Sequence, residues 1–195
     1  MPVKREPNPA RVDGGRIADA CGKAFEAIID NELEGERLAG RVAWHERHQP
    51  LFRAVGPGRF APVRKGKADH GGMFEGGLAF AIEDKSRAAG SLARSAMLVG
   101  EVEHLDSTGR GGGLALLAVE LRPPGGGVHR FVLPWDRVHW RRRGDGAGVS
   151  LDDLAGWEMP ATGFLRRFVA FCPRCEAYRL RWHKPSACCF REVGP

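Results

Sequence analysis

No apolar stretch of this chain approaches the ~20 residues that a membrane-spanning helix needs; the longest, around Leu114 to Val119, is far shorter. The opening residues Met1-Pro2-Val3-Lys4-Arg5-Glu6 hold no apolar signal segment, so the expectation is a cytoplasmic protein with no membrane partner. Cysteine is scarce and odd in number: there are five, four of them within the last 24 residues. That distribution argues against a disulfide framework and reads as reduced thiols or a metal site. Charge of one sign is also in short supply. Thirty Lys and Arg against 24 Asp and Glu leave a net +6, which permits a nucleic-acid partner without demanding one. No internal repeat is present. What remains is a globular balance, 43% hydrophobic and 28% charged over 195 residues, suited to one domain with an appendage.

Residues 1–12 carry Pro2, Pro7 and Pro9 and read as a flexible arm. Asp13 can then cap a helix in which Ile17, Cys21, Ala24, Ile28 and Ile29 recur at spacings of three and four, ending near Glu34-Gly35. Cys21 in that stripe is expected to be a small core residue. Arg41-Val42-Ala43-Trp44 is a short strand candidate, and the Pro-, Gly- and Arg-rich stretch from His48 to Lys67 reads as a loop or extension. From Asp69 to Lys85 the pattern predicts two strands turned at Glu75-Gly76-Gly77. In the second strand Leu78, Phe80 and Ile82 point one way, and Ala79, Ala81, Glu83 and Lys85 the other. A second amphipathic helix fits Ser91 to Asp106, with Leu92, Ala96, Val99, Val102 and Leu105 on its stripe. Leu114 to Leu121 reads as a buried strand, with Arg130-Phe131-Val132-Leu133 beside it across a Gly125-Gly126-Gly127 turn. This order of elements argues a mixed α/β domain. Beyond Trp140 come Arg141-Arg142-Arg143, a Gly-rich segment, a helix start at Ser150-Leu151-Asp152-Asp153, and a basic, Cys-rich tail from Phe171.

The pattern most charged with chemistry is Asp69, thirteen intervening residues, then Glu83-Asp84-Lys85. A hairpin brings two carboxylates and a lysine together there, as metal-assisted phosphodiester hydrolysis requires. Asp69 and Glu83 can hold Mg²⁺ through hard oxygen ligands, and Lys85 can orient water or stabilise charge on the phosphate. Spacing alone also fits a solvated strand face with a cross-strand ion pair.

The run Ala68-Asp69-His70-Gly71-Gly72-Met73-Phe74-Glu75-Gly76-Gly77-Leu78-Ala79-Phe80-Ala81-Ile82-Glu83-Asp84-Lys85-Ser86 resembles the core of the PD-(D/E)xK nuclease superfamily, and most closely the RecU-type Holliday junction resolvases. Gly22-Lys23-Ala24-Phe25-Glu26 with Asn31 resembles that family's opening helix. Val102-Glu103-His104-Leu105, Gly111-Gly112-Gly113 running into Leu114-Ala115-Leu116-Leu117, and Arg130-Phe131-Val132-Leu133-Pro134 resemble its second helix and last core strands. The likeness covers about residues 20–140. It departs at Ala81, where the family tends to have aspartate, at Glu101, where it has glutamine, and at Asp84, where it has an apolar or small residue.

The resemblance implies a restriction endonuclease-like fold, a mixed central sheet flanked by helices. It implies a homodimeric, Mg²⁺-dependent hydrolase of branched DNA in recombination or repair, with Mn²⁺ able to substitute. Asp69, Glu83 and Lys85 match the catalytic motif, and Glu26 matches the helix glutamate beside the metal. By its helical position Glu26 lies beside Ile29 at the edge of the buried face, where a solvated glutamate is equally at home. A nuclease of the same core acting on ordinary duplex and a non-catalytic DNA-binding accessory protein stand as alternatives, since fold does not fix substrate.

Arg59, Arg64, Lys65 and Lys67 precede Asp69 and are candidates for contact with the scissile phosphate. Arg141, Arg142 and Arg143, near Trp135, His139 and Trp140, form a second group that suits phosphate contact and base stacking, or simply a solvated face. In the tail, Cys172, Cys175, His183 and Cys188 leave two, seven and four residues between them, a set that suits tetrahedral Zn²⁺ or else stands as unliganded thiols. The expected organisation is an arm over 1–12, a nuclease core over 13–140 and a basic, Cys-containing extension over 141–195.

Overall fold

The computed structural model describes residues 9–48, 52–56, 59–62, 66–143, 146–173 and 175–182. A long helix, α1 (Pro9–Leu38), opens the chain, with Pro9 in the first turn, where its missing N–H costs nothing. Phe25, Ile29 and Leu33 are fully buried at spacings of four; of the expected stripe Ile29 is in the core, whereas Ala24 faces solvent and Cys21 and Ile28 are half-buried. Glu36 continues the stripe as a buried carboxylate. Burial favours its neutral form, but Arg41 and Arg166 together hold it below the usual carboxylate range.

Then follow β1 (Val42–Arg47), β2 (Phe52–Gly56), β3 (Arg59–Pro62), β4 (His70–Phe74), β5 (Ala79–Arg87) and the short β6 (Ser91–Ala93). After these come α2 (Val99–Arg110), β7 (Leu114–Leu121), β8 (His129–Pro134), β9 (Arg141–Arg143), β10 (Gly146–Ser150), α3 (Leu151–Leu154), β11 (Val169–Cys172) and β12 (Ala177–Leu180). The main sheet has five strands in the order β1-β4-β5-β7-β8. All its pairs are antiparallel except β5 with β7, whose parallel pairing needs the crossover that α2 supplies. β7 is buried along its whole length. Glu120, its one charged residue, meets Arg122 at 2.5 Å, Arg130 at 2.8 Å and the Ser86 hydroxyl at 3.0 Å.

Alternation along β5 and β7 divides the core between the two faces of the sheet. Ile82 and Leu116 join Phe25, Ile29, Leu33, Phe164 and Phe168 on one side. Ala81 and Leu117 join Leu92, Leu105, Leu133 and Leu154 on the other. Residues beyond 140 thus contribute to the same two clusters as the residues before it.

Three expected elements differ. The first helix begins at Pro9, inside the expected arm and ahead of the expected cap Asp13, and runs on to Leu38. The helix expected from Ser91 begins only at Val99, because Ser91–Ala93 pairs with Gly148–Ser150 instead. A Cβ on Gly148 would stand 2.9 Å from the Leu92 carbonyl oxygen, so glycine there permits the pairing. The stretch expected as a loop from His48 contains the β2–β3 hairpin. The outcome is a mixed α/β core, a five-stranded mixed sheet flanked by helices, compatible with a restriction endonuclease-like fold.

Candidate active site

Asp69 stands one residue before β4. The antiparallel register that sets His70 opposite Ile82 brings Asp69 beside Glu83 on β5. Three hydrogen bonds hold it there. Its carbonyl accepts from the His48 N–H at 2.7 Å, its own N–H donates to Glu83 Oε2 at 3.2 Å, and its Oδ2 accepts from the Asp84 N–H at 3.1 Å. Two residues along β5, Lys85 shares the face of Glu83 and pairs with Glu83 Oε1. Lys85 Nζ also lies 3.0 Å from Glu101 Oε2. Glu101 sits in the first turn of α2, where the same oxygen accepts the Leu98 N–H at 2.7 Å and satisfies a donor that the helix start leaves unpaired.

Glu83 is fully buried. Burial, followed by the neighbouring Asp69 carboxylate, pushes its carboxyl up to about 10, against the opposing pull of Lys85. Asp69 is raised as well, by burial and then by Asp84. For Lys85 burial is the largest influence and acts downward, yet Glu83 and Glu101 together outweigh it and its ammonium is held more firmly than usual. At neutral pH Glu83 therefore carries a proton, and Lys85 keeps its charge against Glu101.

The region behind these residues is also polar and ordered. Asp84 points to the opposite face from Glu83, where Oδ2 meets His70 Nε2 at 2.9 Å. His70 is wholly buried, and its Nδ1 lies 3.1 Å from Asp30 Oδ1 on α1, off the line of a hydrogen bond. His70 thus gives the buried Asp84 carboxylate a polar partner. Ala68, just before Asp69, is gripped by two imidazoles. Its carbonyl accepts from His48 Nδ1 at 2.6 Å, and its N–H donates to His104 Nδ1 at 3.1 Å. Burial, then the charges of His48 and Lys67, keep His104 below its ordinary value, in the neutral form that can accept.

Of the predicted residues, the fold brings Asp69, Glu83 and Lys85 together and adds Glu101. Glu26, half-buried on α1, gives its carboxylate to Arg47 of β1, which also lies 3.4 Å from Asp30. Lys67 is exposed two residues before Asp69. Arg59 is on β3, with its side chain outside the description; Arg64 and Lys65 lie outside the described residues. Arg141, Arg142 and Arg143 form β9, which pairs with β10. Arg141 is 72% exposed and reaches Asp153 at 3.1 Å; the other two side chains are not described. Nearby, the Arg94 guanidinium lies 5.9 Å from the Trp135 ring and 5.3 Å from the Trp140 ring. Cys172 and Cys175 stand at one hairpin tip, while His183 and Cys188 lie outside the described residues.

Glu101, His104, His48 and His70 are neighbours of the site that sequence reasoning did not assign to it. A signal existed for two of them. Glu101 is the position where the resembling family has glutamine, and alternation sends His70 to the face opposite Asp69.

Among the described residues no group of three or more His, Cys, Asp or Glu side chains is arranged to hold a metal ion. An ion at Asp69 and Glu83 would therefore take its other ligands from backbone carbonyls, water or substrate, which is how Mg²⁺ is commonly bound. The pair fits such an ion: its donors are hard oxygens, and the crowding that traps a proton on Glu83 is relieved by a cation in the proton's place. No helix among the described residues is long and apolar enough to cross a membrane.

No family model and no curated protein matches the chain. Among solved structures it is similar to a Holliday junction resolvase from the archaeal hyperthermophile Archaeoglobus fulgidus, at 21% identity, with 68% of this chain and 91% of that chain covered and a TM-score of 0.39.

Proposed function

We propose that this protein is a metal-dependent DNA endonuclease, and that branched DNA, the four-way junction above all, is its substrate. The observation that carries the reading is the convergence of Asp69, Glu83 and Lys85 on one face at the β4–β5 pair, with Asp69 locked by backbone hydrogen bonds on both sides. The junction preference rests on the resemblance of residues 20–140 to RecU-type resolvases. So does the expectation that two copies act as a homodimer.

Asp69 and Glu83 would hold Mg²⁺ or Mn²⁺. When bound, that ion supplies Lewis acidity and a more acidic water. Lys85 brings a fixed ammonium to the same place and stabilises negative charge as it builds on the scissile phosphate. Glu101 keeps that ammonium charged and aimed through its 3.0 Å contact. The two histidines on Ala68 and the Asp84 N–H hold the Asp69 carboxylate in position before substrate arrives, so little reorganisation is left for the reaction itself. Lys67, exposed beside Asp69, is placed to meet the DNA backbone.

The test incubates purified protein with a labelled four-way junction and a matched linear duplex, in Mg²⁺ and in EDTA. The expected result is Mg²⁺-dependent cleavage of the junction in preference to the duplex. Equal cleavage of both leaves the nuclease and removes the junction specialisation. Binding with no Mg²⁺-dependent product from either DNA contradicts the enzyme and favours an accessory role.

A further inference from the structure

We propose that the chain carries a groove for single-stranded DNA, lined by Trp135, Trp157 and Trp182 and by Arg110, Arg137 and Arg167. The groove is argued without the nuclease; the choice of DNA over RNA rests on that reading. Four of the five tryptophans gather where β8 ends. Trp135 and Trp182 line a cavity of about 360 Å³, and Trp157 and Trp182 line a second of about 390 Å³. Both cavities are bounded by Pro134 and Trp182, so they adjoin. Beyond Trp135 the aromatic surface continues to Trp140, ring centroids 6.3 Å apart and edge to face. None of the four indoles is buried, and Trp182 is 45% exposed.

The arginines here are bound differently from those elsewhere in the chain. Arg41, Arg122, Arg130 and Arg166 are each paired with a carboxylate. Arg94 and Arg110 meet no carboxylate among the described residues, and Arg94 lies instead over the Trp135 and Trp140 rings. Arg167 stacks 5.3 Å from the Trp157 ring and donates to the Glu158 and Gly156 carbonyls. Arg137 reaches only Asp136, at 4.0 Å, with both side chains exposed. Two acids also line the groove. Asp136 is one, and Asp106 is the other, occupied by the Trp135 Nε1–H at 2.6 Å. Cationic charge therefore remains in excess beside open aromatic rings. A phosphate backbone satisfies the arginines, and unpaired bases can stack on the indoles, whereas a duplex keeps its base faces covered.

Charge also argues against two other occupants. The residues after Trp182 hold Lys184 and Arg191 against Glu192, and a second copy of the chain brings a net +6. Neither complements arginine. The groove lies toward the candidate active site: Trp135 and Trp140 pack on the cluster that contains Ala81, on the side of β5 that carries Glu83 and Lys85. Asp106 follows Glu101 by five residues of α2, ~7.5 Å along the helix. Unpaired bases beside a branch could thus be held while the adjoining strand reaches Asp69.

The test is binding of a labelled oligothymidylate of ~16 nucleotides to the full-length protein in EDTA, by fluorescence anisotropy and by intrinsic tryptophan emission. Binding should quench most of that emission and weaken steeply with salt. Trp157→Ala and Trp182→Ala should each weaken it ~5-fold or more. Because tryptophan variants can fail to fold, a second variant replaces exposed side chains only. Arg94→Gln, Arg110→Gln and Arg137→Gln together should make the log–log salt slope shallower by about 2. No binding, binding that leaves tryptophan emission unaltered, or a salt slope unchanged in the triple variant would each overturn the proposal. Equal quenching by polyglutamate would overturn it in favour of an acidic protein partner, and tighter binding of oligouridylate would overturn the choice of DNA. Single-strand binding by a chain that cuts no DNA supports the groove and removes the nuclease; cutting by a chain that ignores single strands does the reverse.

Discussion

Replacing Glu83 by Gln should change how the stability of the metal-free protein responds to pH. In the folded chain the Glu83 carboxyl is pushed up to about 10, by burial and then by Asp69, from an ordinary 4.5. Between those values the folded state holds a proton that the unfolded chain has released. Stability from this group is therefore fully present below pH 4.5 and is lost as pH rises toward 10, at about 1.4 kcal/mol per pH unit. From about pH 5.5 to about pH 7.5 the loss is about 3 kcal/mol, equivalent to ~6–12 °C in Tm for a domain of this size. Glutamine keeps the shape and the acceptor for the Asp69 N–H but has no proton to lose. Urea unfolding of both proteins in EDTA should thus show wild type losing about 3 kcal/mol relative to Glu83→Gln across that interval. Comparing the two proteins cancels His104, whose depressed value acts in the opposite direction. Mg²⁺ should restore wild type at the higher pH, and its binding should release a proton. A difference between the two proteins that stays constant with pH would refute the reasoning, because Glu83 would then be ionised in the fold.

Other consequences can be checked separately. Lys85→Met should lower the cleavage rate ~10²–10³-fold while junction affinity stays within a few-fold, as measured by single-turnover kinetics and gel shift. His104→Ala leaves the Ala68 N–H without its acceptor and should cost about 1–3 kcal/mol in urea unfolding. The contribution of His104 should be present above its ordinary 6.5 and lost as pH falls through its lowered value. Gly76→Ala would place a Cβ 2.3 Å from that of Ala177 at a φ of +83°. It should destabilise the chain by at least ~1–3 kcal/mol and raise hydrogen exchange at Tyr178. Lys67→Ala should weaken DNA binding and flatten its salt dependence by about one phosphate contact.

The central strands were legible in the sequence because nothing competes with their pattern. Leu114–Leu121 is apolar but for Glu120 and is β7 to the residue. The Gly76-Gly77 turn announces the β4–β5 hairpin, and both glycines adopt the positive φ that such a turn needs. The convergence of Asp69, Glu83 and Lys85 was legible for the same reason, since hairpin geometry fixes their side of the sheet. What escaped depends on contacts distant in sequence. Ser91–Ala93 has a helical period, yet Gly148 offers it a partner strand some 55 residues later. Phe164 and Phe168 lie in a tail of basic composition but pack against Phe25 and Ile29. Glu101 falls in the interior of the helix expected from Ser91, and only the late start at Val99 and the packing of α2 against β5 bring it to Lys85. The expected stripe of α1 included Ile29, which is buried, but missed Phe25 and Leu33 because Ala24 and Ile28 match the period as well.

The most direct test is single-turnover cleavage of a labelled four-way junction by wild type and by Glu83→Gln, with binding followed on the same samples. The account predicts Mg²⁺-dependent product from wild type, none from the variant, and junction binding largely intact in both. Cleavage by Glu83→Gln at the wild-type rate, or loss of binding together with cleavage, would contradict it.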